Sequence, residues 1–236
     1  MFTVNHFIWL GLCALFVTVG LMAAKKTKMS KKTASYIAAG ISIASEFSKI
    51  MSDMTDSDEG GMVLSPKSLP FHLCSMMIFV IFYLAFSKNE EKKDKVVSFF
   101  VPVALAGGIA ALLIPTNGVD FLDIGAYQCF VYHAGIVWYA LYYIVTGQVD
   151  LGRRAYLRNI LILLCLAFGN IYINSALSAY GTNFMYVRKP PMDGLPVLNL
   201  DHGWYAYFAT LCALGIVLMT LVHLPLMLKE RKKTQK

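Results

Sequence analysis

The stretch KNEEKKDKVVSFFVPVALAGGIAALLIP, Lys88 to Pro115, decides the fold class. Eight residues carrying seven charges are followed by twenty carrying none. A helix needs about 20 apolar residues to cross the hydrocarbon of a bilayer, and this segment supplies them with a charged anchor at one end. The same alternation recurs on both sides of it. Seven candidate spans result: residues 7–24, 33–51, 69–87, 96–115, 122–146, 157–179 and 203–228. The predicted fold is an all-α, seven-helix transmembrane domain occupying residues 1–236.

Composition agrees. Hydrophobic residues make up 57% and charged residues 15%, against about a quarter charged in a soluble domain. The net charge of +7 does not point to nucleic acid, because the basic residues lie in short links between spans. There they orient helices rather than bind phosphates. The five cysteines (Cys13, Cys74, Cys129, Cys165, Cys212) sit in apolar segments with no CxxC pair. Neither a disulfide framework nor a zinc knuckle is indicated. The first apolar run has no basic region before it and lysines after it, which suits an uncleaved span rather than a signal peptide.

Counting lysines and arginines orients the chain. Links 25–32, 88–95 and 147–158 and the tail from Lys229 hold seventeen of them. Links 52–68, 116–121 and 180–202 hold three, and the first of these is acidic (Asp53, Asp56, Asp58, Glu59). The basic side is cytoplasmic by the positive-inside rule. The expectation is N-terminus out, C-terminus in, a multi-pass protein of the cell membrane whose partners are membrane lipids. Residues 33–51 are the least apolar span. Ser42, Ser45, Glu46 and Lys49 recur at helical spacing, forming one polar stripe that faces protein. Ala104 and Gly108 predict a close helix contact.

Orientation converts sequence position into depth, at about 1.5 Å per helical residue. Glu46, His72, Cys74, Tyr127, Gln128, His133, Asn170 and Asn174 then all fall in the outer half of the membrane, with His223 alone at the inner end. Intramembrane ionisable groups usually face a cavity or one another. An outward-opening polar cavity is the expectation. A thiol needs a base to act as a nucleophile near neutrality, so Cys74 and His133 are the first candidate pair. His72 stands about 200° round a helix from Cys74, which keeps the two from sharing a narrow site. Gln128, Asn170 and Asn174 are candidate oxyanion donors, and Glu46 could orient a histidine. A metal site built from His72, His133, Glu46 or His202 is the competing arrangement, without an HExxH motif behind it. The outer link 180–202 reads as fixed turns, with Asn183, Arg188 and Lys189 as candidate contacts at the cavity mouth. Trp204 and Tyr205 then open the last span as an interfacial anchor.

LPFHLCS (Leu69–Ser75), YQCFVYH (Tyr127–His133) and GTNFMYVRKP (Gly181–Pro190), with a Trp-Tyr start to the last helix, resemble the bacterial YwaF-type integral membrane family. Where that family has a Trp- and Pro-rich segment, this chain reads NLDHGWYAY (Asn199–Tyr207). The family is similar to animal transmembrane acyltransferases that remodel ether phospholipids through a cysteine and a histidine. It is more distantly similar to androgen-induced-gene lipid hydrolases, which use a threonine and a histidine. The resemblance implies that Cys74 carries an acyl group as a thioester and His133 serves as base, with no cofactor. The leading expectation is a lipid acyltransferase or acyl hydrolase. The alternatives are a small transporter or ligand-binding membrane protein, which the lack of internal repeats weakens, and a metal-dependent seven-span lipid hydrolase. A rhodopsin is set aside because the last span has no lysine for a Schiff base.

Overall fold

Residues 2–56, 61–192 and 194–234 are described by a computed structural model. Asp58 and Glu59 of the acidic link, and Lys236 of the basic tail, lie outside them. Seven helices form: α1 (Val4–Lys26), α2 (Lys31–Asp53), α3 (Leu73–Phe86), α4 (Glu90–Leu113), α5 (Ile124–Val145), α6 (Arg153–Ala176) and α7 (Gly203–Thr234). Four of them, α1, α4, α6 and the Gly203–Pro225 part of α7, are long and apolar enough to cross a membrane. The chain is a multi-pass helical membrane protein. The acidic link 52–68 contains a small antiparallel strand pair. Its strands are β1 (Met54–Asp56) and β2 (Met62–Leu64), with Thr55 opposite Val63.

Side-chain caps fix most of the helix starts. Thr3, Ser30, Asn89 and Asp123 each accept a hydrogen bond from an amide in the first turn of α1, α2, α4 and α5. Such caps are worth about 1 kcal/mol each. The helix α1 starts at Val4, ahead of the expected Phe7, because His6 is drawn inside. Its Nε2 donates to Leu112 O at 2.8 Å, tying α1 to the outer end of α4. Two helices lack such a cap: α6, which begins after Gly152, and α3. His72 stands at its N-cap in extended conformation (φ −68°, ψ 144°) and supplies no side-chain cap. The helix therefore begins four residues later than the sequence suggested, and residues 69–72 approach it as non-helical chain.

Length and polarity of the other helices follow from where they sit. The helix α5 packs against α1, α2 and α4, so it touches little lipid and tolerates polar groups along its whole length. At its inner end Tyr139 and Tyr143 share a 3.1 Å hydrogen bond, Tyr139 meets Ser35 of α2 at 2.6 Å, and Tyr142 donates to Met29 O. On α2, Ser42 is fully buried and bonds Ala38 O at 2.9 Å, so the polar stripe does face protein. The helix α4 is central, packed on α3, α5, α6 and α7. Its Gly108 permits the close contact with α5 that the small-residue pair foreshadowed. A methyl there would fall 2.7 Å from Val137 Cγ2 and 3.4 Å from the His133 carbonyl.

The N-terminal parts of α4 and α6 and the C-terminal part of α7 are pinned together by a buried polar cluster. His223 of α7 donates from Nδ1 to Leu151 O at 3.0 Å. Its Nε2 accepts from Asn159 of α6 at 3.4 Å, and the Asn159 amide also donates to Ser98 O of α4. Toward their other ends these helices separate. The main neighbours of α3 are α2 and α4, while α6 keeps to α7 and α4. A wedge of space opens between the two groups.

Gly108→Leu should destabilise the protein by about 1–3 kcal/mol through overpacking against α5. Gly11→Leu should not, since nothing lies within 4 Å of a Cβ at Gly11. Thermal unfolding midpoints of the two variants in detergent check this.

Candidate functional site

The wedge is a cavity of about 690 Å³. Its position follows from the shortness of α3. Fourteen residues span about 21 Å, less than the roughly 30 Å of the hydrocarbon. Within a membrane, irregular backbone of the kind that precedes α3 is tolerated only where it is buried in protein or lines a cavity. Here Leu69, His72, Leu73, Cys74 and Ser75 all line it.

Cys74 is the second residue of α3. Among the described residues none accepts a hydrogen bond from the amides of Leu73, Cys74 or Ser75, the donors that every helix start leaves free. The Cys74 carbonyl accepts a 2.6 Å bond from Tyr132 Oη of α5, which fixes the start of α3 against the residue next to His133. Gly107 of α4 leaves room for the thiol, because a methyl there would stand 3.3 Å from Cys74 Sγ.

His133 lines the same cavity. Its Nδ1 lies 2.6 Å from the Cys129 carbonyl one turn back. A carbonyl only accepts, so Nδ1 carries the proton and Nε2 keeps its lone pair. Nε2 has no hydrogen-bond partner among the described residues. The thiol nearest the ring belongs to Cys129, with Sγ 3.6 Å from Nδ1. No hydrogen bond joins Cys74 to His133.

His72 also lines the cavity. The 200° separation expected from a continuous helix does not apply, since His72 lies outside α3 in extended backbone. It and Cys74 face one space. The His72 ring packs against Phe184 and Tyr186 of the outer link, with centroids 5.5 and 5.2 Å apart. Glu46 and Lys49 form a 2.7 Å ion pair on the cavity wall, so Glu46 is matched to a lysine rather than to a histidine. Gln128 donates to Ser45 Oγ at 2.8 Å and accepts from Asn117 at 3.3 Å, joining α5 to α2 and to the link above.

Three asparagines expected in the cavity are elsewhere. Asn174 exchanges two hydrogen bonds with the Phe184 backbone, at 2.8 and 3.1 Å. Asn170 donates to Leu166 O and Met185 Sδ. Asn183 accepts from the Arg188 and Lys189 amides and donates to Lys189 O. Asn170 and Asn174 thus hold the link after α6 onto that helix, and Asn183 braces the link internally. Arg188 donates to Thr182 O at 2.9 Å and lines a separate pocket of about 300 Å³ with Trp204. Lys189 is exposed and does not reach the main cavity. What the link does bring to the cavity is Met185, Tyr186, Pro191, Leu195 and Leu198, which cover it from outside. The Trp204 indole and Tyr207 hydroxyl of α7 donate to the Val187 and Tyr186 carbonyls and anchor that cover. The motif Gly181–Pro190 includes Met185 and Tyr186 but had singled out neither, and Pro191, Leu195 and Leu198 lie beyond it.

Among the described residues no three of His, Cys, Asp and Glu stand close enough together to hold a metal ion. A family model described as the TMEM164 family matches residues 1–223. No curated protein and no solved structure matches the chain.

Replacing Asn174 with Ala should strand the Phe184 amide and leave its carbonyl with only the 3.4 Å bond from the Val187 amide, at a residue that is itself 1% exposed. A loss of about 1–3 kcal/mol is expected. The Phe184 amide should lose protection in hydrogen exchange while the amides of α5 keep theirs.

Proposed function

The chain belongs to the TMEM164 family, whose members are transmembrane proteins, and from that footing we propose that it is a lipid-modifying enzyme of the cell membrane. It transfers or hydrolyses acyl esters of phospholipid through Cys74 and His133. The observation that carries this reading is the union, in one cavity, of a thiol on an uncapped helix start and a histidine whose open nitrogen is Nε2. The likeness of LPFHLCS and YQCFVYH to the YwaF-type proteins and to animal phospholipid acyltransferases supports the same roles.

In the proposed reaction His133 Nε2 takes the proton of Cys74 as Sγ attacks the ester carbonyl carbon. The developing oxyanion is held by the free amides of the first turn of α3, at the positive end of its dipole. The C–O bond breaks, the proton on His133 passes to the departing lysophospholipid oxygen, and a thioester remains on Cys74. The hydroxyl of a lysophospholipid, or water, then attacks the thioester with His133 again as base. The leaving thiolate recovers its proton from His133. Tyr132 positions Cys74 through its carbonyl, and His72 closes the space toward the link. With seventeen basic residues on one side against three on the other, the seven helices run N-out and C-in, and the mouth opens to the outer leaflet.

The test is acyl exchange in liposomes between a labelled phospholipid and an unlabelled lysophospholipid. Cys74→Ala should abolish exchange. His133→Gln should lower it about 10²- to 10⁴-fold. Cys129→Ala should retain it, since that thiol sits in mid-helix without free amides. Exchange that persists in Cys74→Ala overturns the reading.

A further inference from the structure

The cavity continues past Cys74, away from the mouth, and its character changes. Near the mouth it is walled by Ser45, Glu46, Lys49 and Gln128. Beyond Cys74 and Gly107 the walls are apolar, supplied by α4 (Val103), α6 (Leu163, Leu164) and α7 (Gly215, Met219). Met219 is 1% exposed and Val103 3%, and they close the floor just above the polar cluster of Ser98, Asn159 and His223. This limb has no polar group for a solute, yet it adjoins the thiol directly.

Gly215 is informative. A glycine inside a helix costs roughly 0.5–1 kcal/mol relative to alanine, and in membranes it is commonly explained by close backbone packing. That explanation serves for Gly108, which abuts the backbone of α5. It does not serve for Gly215, whose nearest neighbour is the flexible tip of Leu163, 3.4 Å from a Cβ built there. The missing side chain leaves space in the limb instead of bringing two helices together.

We infer that this limb binds a single extended fatty acyl chain, with Gly215 keeping it open and Met219 setting its length. The inference rests on the proposed acyl chemistry of Cys74 for its purpose and adds to it the chain class. Along α7 the limb runs from Leu211 to Met219, eight residues or about 12 Å. An extended chain advances about 3.5 Å for every three bonds, so about ten carbons beyond the thioester fit before the floor. Longer chains must bend out toward lipid between α3 and α6.

The probes are n-alkyl methanethiosulfonates of two to sixteen carbons, added to the full chain in detergent. Each reacts with a thiolate to leave an alkyl disulfide and releases methanesulfinate, so no acyl transfer is needed. Modification is read at Cys74 by peptide mass mapping. It is normalised to Cys165, which lies exposed on the outside of the bundle and reports how much reagent the detergent presents. The normalised rate at Cys74 should hold up to about ten carbons and fall beyond. Gly215→Leu should move that fall to chains about five carbons shorter, by filling the limb one helical turn above the floor. Met219→Ala should move it to longer chains. A length profile at Cys74 that is flat, or that neither variant shifts, overturns the inference. The two proposals separate cleanly. Lost acyl exchange with an intact length limit fails the enzyme reading alone, and exchange without a length limit fails this one alone.

Discussion

The structure turns on an unfinished helix end. Helix α3 starts with three amides that no side chain caps. In hydrocarbon such donors would each cost several kcal/mol, so the chain leading to them must run along a cavity. Everything around them serves that requirement. The helices α2 and α5 bring polar side chains to one wall, α4 supplies a glycine where the Cys74 thiol needs room, and the link after α6 lies over the top. The polar stripe of α2, unsuited to lipid, is admissible because it faces this same space.

The wedge shape has an equally local cause. Ser98, Asn159 and His223 join three helices at one end by hydrogen bonds that water cannot contest. At the other end the same helices are held apart by α3 and the link. A bundle pinned below and propped above encloses a tapering volume with one polar and one apolar end. Those are the two solvation environments that an amphiphile carries within itself.

Much of the fold was legible in the sequence, because membrane crossing leaves long runs that need no tertiary knowledge to read. The seven helices, the polar stripe of α2 and the Gly108 contact all follow from periodicity and charge. Helix starts were harder. Phe7 and Leu69 were each read as the beginning of an apolar run, yet His6 belongs to α1 and Leu69–His72 lie outside α3. Hydropathy records what a segment is immersed in, not whether its backbone is helical. Of the site residues, Glu46, His72, Cys74, Gln128 and His133 share the cavity, while Asn170 and Asn174 hold the link after α6 and Asn183 braces that link from within. Position along each helix was readable from the sequence, but the direction in which an asparagine amide points depends on a loop fold that no pattern encodes. Tyr132 and Gly107 were missed for a related reason. A tyrosine that bonds a backbone carbonyl, or a glycine that makes room, is silent until its neighbour's coordinates are known.

The cover over the cavity is held in an uncommon backbone state. Met185 and Tyr186 are consecutive non-glycine residues with φ of 52° and 55°, a left-handed geometry worth of order 1–3 kcal/mol of strain per residue. Asn174, Trp204 and Tyr207 hold them there by bonds to the backbone on either side. Lifting the cover breaks those bonds but also lets two residues relax. The strain of those two residues therefore offsets part of what the cover's contacts contribute to holding it in place.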